Sequence, residues 1–220
     1  MDCSITPTLT FNYYTIMTQK LGSHNSWSYL PPKKWWMKLI KFTAQCQNVD
    51  IMTQYDTWGV QLFDLRIRFD TTKDSPLAGL KLVNGIVEYN FTYTKLIEEL
   101  SYLDSKKDAA IRLILDLRGV DKKDYTLQRT YFNRFYRQVL KNFKNIKYLV
   151  GRDLPTWKKC IITLSDGSIR ENYASVSNPK WFDDWYPKLY AKNKNKYNKR
   201  NFFNNVNTKE EYLLIDFINI

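Results

Sequence analysis

The sequence predicts an α/β fold in which strands and helices form a (β/α) TIM barrel, a single domain spanning residues 1–220. Strand-type and helix-type patterns alternate along the chain, which is typical of a parallel sheet covered by helices. Polar side chains recur at the ends of predicted strands, and a (β/α) barrel gathers those ends at its active-site face. They are His24, Asp64, Arg66, Asn84, Asp116, Arg118, Asp166 and Asp216.

The first half of the chain supplies four strands and two helices. A short first strand ends at the Gly22 turn, and apolar residues at helical spacing follow it in a Trp-rich segment. Strict alternation of strand-forming residues then predicts the longest strand, and an apolar run ends the half. The predicted strands are 15–21, 59–69, 80–83 and 109–117, and the predicted helices are 35–46 and 94–103.

The second half contains the clearest helix, residues 126–143, whose aromatic and aliphatic residues fall on one face at i, i+3, i+4 and i+7. Short apolar runs predict strands at 147–151, 160–165 and 212–218. Residues 188–200 carry six basic residues among Asn and Tyr, and we expect a mobile, solvated loop there; the alternative is a second membrane or nucleic-acid contact.

The composition leaves two interpretations of the charge open. The 34 basic and 22 acidic residues give a net charge of +12, which favours polyanions or an anionic membrane surface as partners. The alternative is a solubilising surface in a Lys/Asn-rich proteome. Nucleic-acid binding is not expected, because no reader motif accompanies the charge. The three cysteines are widely spaced and form no zinc pattern, so we expect reduced thiols. With no evident signal peptide or membrane span, the chain as given is expected to be cytoplasmic.

Four motifs together resemble the X domain of phosphatidylinositol-specific phospholipases C. Residues 22–26 read Gly-Ser-His-Asn-Ser, where that family has Gly-Thr-His-Asp/Asn-Ser. Gln54 precedes Gly-Val-Gln-Leu-Phe-Asp-Leu-Arg at 59–66, where the family has Gly-Val-Arg-Phe-Asp-Leu-Arg. Residues 82–89 and the Ile-Asp-Phe at 215–217 resemble two later motifs. The resemblance implies a distorted TIM barrel of the phospholipase C-like phosphodiesterase type.

The resemblance also assigns chemistry to individual residues. In the family, the inositol 2-hydroxyl attacks phosphorus and gives a cyclic phosphodiester and diacylglycerol. His24 matches the base and Asp216 the carboxylate that orients it, as in a catalytic triad. Arg66 matches the cation that stabilises charge on the phosphate oxygens. Asp64 matches a carboxylate near the inositol hydroxyls.

Arg66 bears on the expectation of a metal. The calcium-dependent branch of the family carries an acidic residue at this point, and calcium supplies the positive charge. A guanidinium removes the need for the ion, so the resemblance implies the bacterial, metal-independent type with no cofactor. Asn25 matches a calcium ligand in one branch, whereas many bacterial members carry Asp; with Arg66 present, we expect no metal there.

Asn84 departs from the family pattern, because the second catalytic histidine belongs at this position. Asn has no titratable proton, whereas a positioned acid typically contributes ~10²–10⁴-fold. The loss would be greatest for natural lipid substrates, whose alkoxide leaving groups are strongly basic. Three explanations stay open: a natural pseudoenzyme, an enzyme that uses another acid such as Asp116 or water, and an engineered inactive variant.

Each site residue also has a structural interpretation. His24 could be a turn histidine, Asp64 and Arg66 an ion pair at a strand end, and Asp216 a cap. Asp116 and Arg118 lie where the family places polar substrate contacts, although an ion pair between them explains the pattern equally simply.

Aromatic and basic residues after the His24 loop predict a membrane contact. Trp favours membrane interfaces and Lys favours anionic lipid. The residues are Trp27, Trp35, Trp36, Lys33 and Lys34. The alternative is that one of Trp35 and Trp36 packs in the core.

The sequence therefore predicts a phosphatidylinositol phospholipase C-like phosphodiesterase whose general acid is lost or altered at Asn84, and whether it is active as an enzyme stays open. Its partner would be a phosphodiester such as an inositol phospholipid headgroup. Two alternatives remain. The chain could be a catalytically inactive protein that binds phosphodiesters or phosphoinositides, or a structural or interaction barrel.

Overall fold

The computed structural model describes residues 19–151, 159–165, 168–174, 186–205 and 209–220. The start of the predicted strand at 15–21 and the predicted site residue Asp166 lie outside these ranges. The described strands are β1 (Gln19–Ser23), β2 (Val60–Phe69), β3 (Leu80–Asn84), β4 (Val87–Tyr89), β5 (Ala110–Leu115), β6 (Lys147–Val150), β7 (Lys159–Ser165), β8 (Ser168–Ala174) and β9 (Glu210–Ile215). All of them belong to one sheet.

The sheet is mixed, which corrects the predicted all-parallel arrangement. Its main order is β6-β5-β2-β1-β9-β7-β8, and the β3-β4 hairpin extends from the second half of β2. Strands β6, β5, β2, β1 and β9 are parallel, whereas β3, β4, β7 and β8 form antiparallel pairs. The parallel strands β1, β2 and β9 bring the ends that carry His24 and Asp216 together.

The sheet curls, and buried apolar side chains lie on both of its faces. On β2, alternate side chains point to opposite faces. Leu62 lies in a small apolar cluster with residues of β5, β6, β7 and β9, while Phe63 belongs to the main core that includes residues of the helices. Contacts also cross the sheet between strands that are not neighbours, as when Lys147 of β6 pairs with Glu210 of β9. The structure therefore shows a curled sheet whose concave face carries both polar and apolar side chains.

The α-helices are α1 (Lys41–Ala44), α2 (Ile51–Asp56), α3 (Pro76–Gly79), α4 (Tyr93–Asp104), α5 (Tyr125–Gln138) and α6 (Pro187–Asn204). Short 3₁₀ turns lie at Ser26–Tyr29, Trp35–Leu39, Lys122–Asp124 and Leu140–Asn142. The helix predicted over 35–46 is a 3₁₀ turn followed by the single turn of α1, whereas α4 and α5 match their predictions within a few residues. None of the described helices is long and apolar enough to cross a membrane.

The basic segment 188–200 lies within α6, which corrects the expectation of a mobile loop. Asn195 on this helix is buried, and its Nδ2 donates to the backbone oxygens of Asp216 and Phe217. The segment therefore has a structural task, because it holds the chain directly after β9.

Candidate active site

The loop after β1 is built by small side chains that satisfy buried backbone groups. A Cβ at Gly22 would lie only 2.5 Å from Leu214 Cδ1, so glycine leaves room for the buried side chain of Leu214. Ser26 Oγ donates to Ser23 O and accepts from the backbone N–H of Asp64. Gln54 Nε2 donates to Ser26 O. These bonds hold the loop against β2 and give Ser26 and Gln54 a structural role in the motif.

His24 follows β1 and is paired with the carboxylate that follows β9. The distance between His24 Nδ1 and Asp216 Oδ1 is 2.7 Å, and both side chains are buried. The backbone N–H of His24 also donates to Ile215 O at 2.9 Å. The parallel pairing of β1 with β9 therefore places the two side chains together, as their positions at strand ends predict.

Arg66 approaches the other ring nitrogen of His24. Its Nη2 lies 2.6 Å from His24 Nε2. Because a guanidinium only donates hydrogen bonds, Nε2 accepts here, and the proton of the neutral ring is on Nδ1, facing Asp216. The neighbours of the ring thus select the tautomer that a general base needs.

Asp64 lies between two buried guanidinium groups. Its Oδ2 accepts from Arg66 Nε at 2.9 Å and from the backbone N–H of Asn25, and its Oδ1 accepts from Arg112 Nη1 at 2.9 Å. Burial alone would raise the pKa of Asp64, but the charges of Arg66 and Arg112 hold it well below its usual value. Asp64 is therefore a carboxylate at neutral pH, with its charge neutralised inside the site.

Arg112 is a site residue that the sequence analysis missed. It is fully buried on β5, where the parallel register places it beside Asp64 of β2. Its Nε donates to Glu171 Oε1 of β8 at 2.9 Å. The charged residues Asp64, Arg112 and Glu171 thus connect β2, β5 and β8 across the concave face. The available signal was a charge within the apolar run 109–117, since a buried charge needs a partner.

Asn84 ends β3 and is bonded through both ends of its amide. Its Nδ2 donates to Ala44 O at 2.8 Å and lies 3.7 Å from Cys46 Sγ, while its Oδ1 accepts from Arg118 Nη2 at 2.7 Å. Burial and the nearby charge of Asp216 raise the pKa of Cys46, so the thiol stays protonated. Cys46 therefore connects the Asn84 side of the site to the side of His24 and Asp216.

Asp116 and Arg118 form a tight ion pair beside Asn84. Arg118 Nη2 lies 2.6 Å from Asp116 Oδ2, and Asp116 Oδ2 also accepts from the backbone N–H of Gly85. Burial would raise the pKa of Asp116, but Arg118 and the backbone donors lower it. In this arrangement Arg118 and the backbone donors hold Asp116 as a carboxylate. Arg118 keeps 46% of its side chain exposed and presents a positive charge to solvent.

Asn25 adopts a left-handed backbone conformation, with φ of 41°. This turn directs its N–H at Asp64 Oδ2. Its side chain is buried and lies against the hydroxyl group of Tyr89, which is also buried.

A second missed residue, Gln47, connects the loops after β1 and β9. Its Nε2 donates to Ile215 O and to His24 O, and its Oε1 accepts from the N–H of Ile218. Gln47 is fully buried. It thereby fixes the two loops that carry the paired His24 and Asp216, although no motif of the sequence singled it out.

The predicted membrane contact is corrected at one residue. Trp27 is buried, and its Nε1 donates to Glu99 Oε2, so it cannot contact a membrane. Trp35 and Trp36 both lie on the surface, and Trp35 keeps 77% of its area exposed. Leu39 and Phe42 add to the same exposed segment. We call Trp35, Trp36, Leu39 and Phe42 the aromatic rim.

Comparisons with known proteins support the fold. No protein-family model matches the chain, and no curated protein matches it. Among solved structures, the fold is similar to that of phosphatidylinositol-specific phospholipase C from Listeria monocytogenes, with a TM-score of 0.50 and 17% sequence identity. The match covers 90% of this chain and 87% of that chain. At this identity the likeness concerns the fold.

Proposed function

We propose that the chain is a phosphodiesterase of the phosphatidylinositol phospholipase C type, which cleaves a phosphodiester by attack of an adjacent hydroxyl. The observation that carries the proposal is the buried series Asp216, His24 and Arg66, with bonds of 2.7 and 2.6 Å at the two nitrogens of the ring. This series sets a base beside a fixed cation, as the reaction needs. The fold similarity supports the same class of substrate, a lipid phosphodiester.

The proposed step uses the lone pair of His24 Nε2. The substrate hydroxyl gives its proton to Nε2 while its oxygen bonds to phosphorus, and Asp216 stabilises the imidazolium that forms. Arg66 leaves Nε2 and donates to the non-bridging oxygens. The bond from phosphorus to the leaving oxygen breaks, and the products are a cyclic phosphodiester and an alcohol.

The negative charge on the leaving oxygen would be stabilised by a nearby cation, and no side-chain acid would protonate it. Asn84 holds no titratable proton, and Asp116 is ionised. Arg118, bonded to Asn84 Oδ1, would stabilise the negative charge, and water would supply the proton. Such a site works best on leaving groups that need no protonation. We therefore propose a preference for activated or acidic leaving groups over a lipid alkoxide.

Two further features belong to the proposal. The site would be metal-independent, because Asp64 already has Arg66 and Arg112 as counter-charges. The curled sheet would close into a distorted TIM barrel around it.

We also propose that the aromatic rim, with Lys33 and Lys34 beside it, docks on an anionic membrane surface. Exposed Trp side chains favour the interface. Both lysines are exposed, and Lys33 also forms an ion pair with Glu88.

The test compares two substrates and three variants. We expect the native chain to cleave an inositol aryl phosphodiester and to cleave phosphatidylinositol slowly. Asn84→His should raise lipid cleavage by about 10²-fold or more, since it restores a positioned acid. Asn133→His, an exposed change on α5, is the matched control and should alter neither rate. His24→Ala should abolish both activities.

Two results would count against the proposal. If neither the native chain nor Asn84→His cleaves the aryl ester, the assignment of the site is wrong. If calorimetry then shows that inositol phosphate binds and that Arg66→Ala abolishes binding, the chain is a binding protein instead. Lipid cleavage by the native chain at the rate of Asn84→His would refute the missing-acid argument alone.

A further inference from the structure

Three side chains with different donor atoms meet beside the proposed base. A nitrogen of His24, the sulfur of Cys46 and a carboxylate oxygen of Asp216 all lie within 4.8 Å of one another. All three residues are buried, and they come from three separate segments of the chain. We propose that they form an inhibitory site for a soft divalent cation, with Zn²⁺ as the best fit.

The donor set selects the class of metal. Zn²⁺ binds Cys sulfur, His nitrogen and carboxylate oxygen at about 2.0–2.3 Å in a tetrahedral arrangement. Ligand atoms at that distance from one ion lie within about 4 Å of one another, so small side-chain shifts suffice here. Ca²⁺ requires six to eight oxygen ligands, which this cluster cannot provide. The site is therefore unrelated to the calcium chemistry of a phospholipase.

Without metal, Cys46 stays a thiol, so the loss of its proton would have to accompany metal binding. Asn84 Nδ2 lies 3.7 Å from Cys46 Sγ, and an N–H donor to the sulfur stabilises a metal-bound thiolate. Once Cys46 is deprotonated, its charge and that of Asp216 cancel the two positive charges of the ion. The backbone N–H of Phe217 donates to Cys46 O at 2.5 Å, which fixes the cysteine segment against the Asp216 loop.

Binding would switch off the base. Nδ1 of His24 faces Asp216, so the metal takes this nitrogen and the ring proton moves to Nε2. The thiol proton of Cys46 passes to the buffer. Nε2 then carries a proton and can neither accept from Arg66 nor take a proton from a substrate. This consequence rests on the proposed function, whereas metal binding itself does not.

The test isolates one thiol. In a Cys3→Ser/Cys160→Ser background, Cys46 is the remaining cysteine. We expect one equivalent of Co²⁺ to give a sulfur-to-metal charge-transfer band, and Zn²⁺ to displace it in competition with a chromophoric chelator. Adding Cys46→Ser should remove the band and weaken Zn²⁺ binding by more than about 100-fold, beyond the effect of losing an outer-shell partner.

A second variant tests the metal site even if the Cys46→Ser variant does not fold. Asp216→Asn should also weaken Zn²⁺ binding, while circular dichroism reports that each variant is folded. Absence of the charge-transfer band in the Cys46-containing background overturns the inference. If Zn²⁺ binds with the band but leaves aryl ester cleavage unchanged, the site stands and the inhibitory role is wrong. If His24→Ala leaves that cleavage intact, the proposed function fails while the metal site remains testable by its spectrum.

Discussion

At the scale of single residues, Asp64 has more partners than its motif indicates. It accepts from Arg66, from Arg112 and from the backbone N–H of Asn25. Both guanidinium groups are buried, and the carboxylate of Asp64 contacts both, while Glu171 also pairs with Arg112. Asp64 therefore neutralises two buried positive charges. The same ion pair also positions Arg66.

Asp64→Asn should therefore destabilise the protein strongly. The substitution preserves shape but leaves two buried guanidinium groups short of charge, and breaking such a buried pair costs about 3–5 kcal/mol. Urea unfolding followed by circular dichroism measures the change. Asp121→Asn, whose ion pair with Lys123 is exposed, should alter stability by less than about 0.5 kcal/mol. A loss under about 1 kcal/mol for Asp64→Asn would show that the network is dispensable.

Some of the site residues lie in recognisable sequence motifs, and others do not. The structure brings His24, Asp64, Arg66 and Asp216 together, as the sequence motifs predicted, although their catalytic roles stay predictions. Gln47, Cys46 and Arg112 were not singled out. Their partners lie on loops or strands far away in sequence, so no local pattern marks Gln47 or Cys46. Arg112 alone carried a signal, a charge in a buried strand.

At the scale of elements, the ends of β1 and β9 are joined by the side chain of Gln47. The two strands pair in parallel along their length. Beyond the last pair, Ile215 O accepts both from the N–H of His24 and from Gln47 Nε2, and Gln47 Oε1 accepts from the N–H of Ile218. These bonds fix how His24 faces Asp216, because His24 and Asp216 lie directly after the two strands.

Gln47→Leu should destabilise the protein and lower its activity. Each buried backbone group left unpaired costs about 1–3 kcal/mol. Gln128 is the matched control, since it is also buried and bonds to both backbone groups of Phe69. Gln128→Leu should cost similar stability, yet leave aryl ester cleavage per folded molecule unchanged. Equal activities of the two folded variants would contradict a positioning role for Gln47.

Strand direction was the main error at this scale, and connection lengths explain it. A parallel pair needs a crossover of about a dozen residues or more. The sequence analysis did not predict β8, and only two residues, Asp166 and Gly167, separate it from β7; a two-residue connection permits an antiparallel hairpin. Ten residues separate β2 from β3. Alternation of strands and helices in the sequence obscured these short connections.

At the scale of the whole molecule, the net charge of +12 and the aromatic rim suggest an orientation on anionic lipid. Trp35→Ala/Trp36→Ala should weaken binding to vesicles of phosphatidylglycerol and phosphatidylcholine by at least about tenfold. Sedimentation with sucrose-loaded vesicles measures it. Trp58→Ala, 38% exposed before the start of β2, is the control and should bind normally. Binding that is unchanged in the double variant would exclude the rim as the contact.

The curl of the sheet is supported by charge as well as by packing. Glu210 on β9 bonds to Lys20 of neighbouring β1 and to Lys147 of β6, which lies at the far end of the sheet. Tyr212 Oη also donates to Glu210 Oε1 at 2.6 Å. One carboxylate thus connects three strands, and its ionisation should contribute to the stability of the whole sheet.

The ion pairs of Glu210 allow a prediction of how the stability of the fold changes at acidic pH. Burial would raise its pKa, but hydrogen bonds from Tyr212, Lys20 and Lys147 lower it to about 2 from 4.5. A group whose pKa is lower in the folded state stabilises the fold above its unfolded pKa, and the contribution disappears as pH falls through the folded pKa. Between about pH 5 and pH 2, native stability should fall more steeply than that of Glu210→Gln. Urea unfolding at each pH measures the stability of the native chain and of Glu210→Gln. Glu98→Gln on α4 is the control, and its stability should change with pH as that of the native chain does. Parallel curves for the native chain and Glu210→Gln would show that this carboxylate does not hold the curled sheet together.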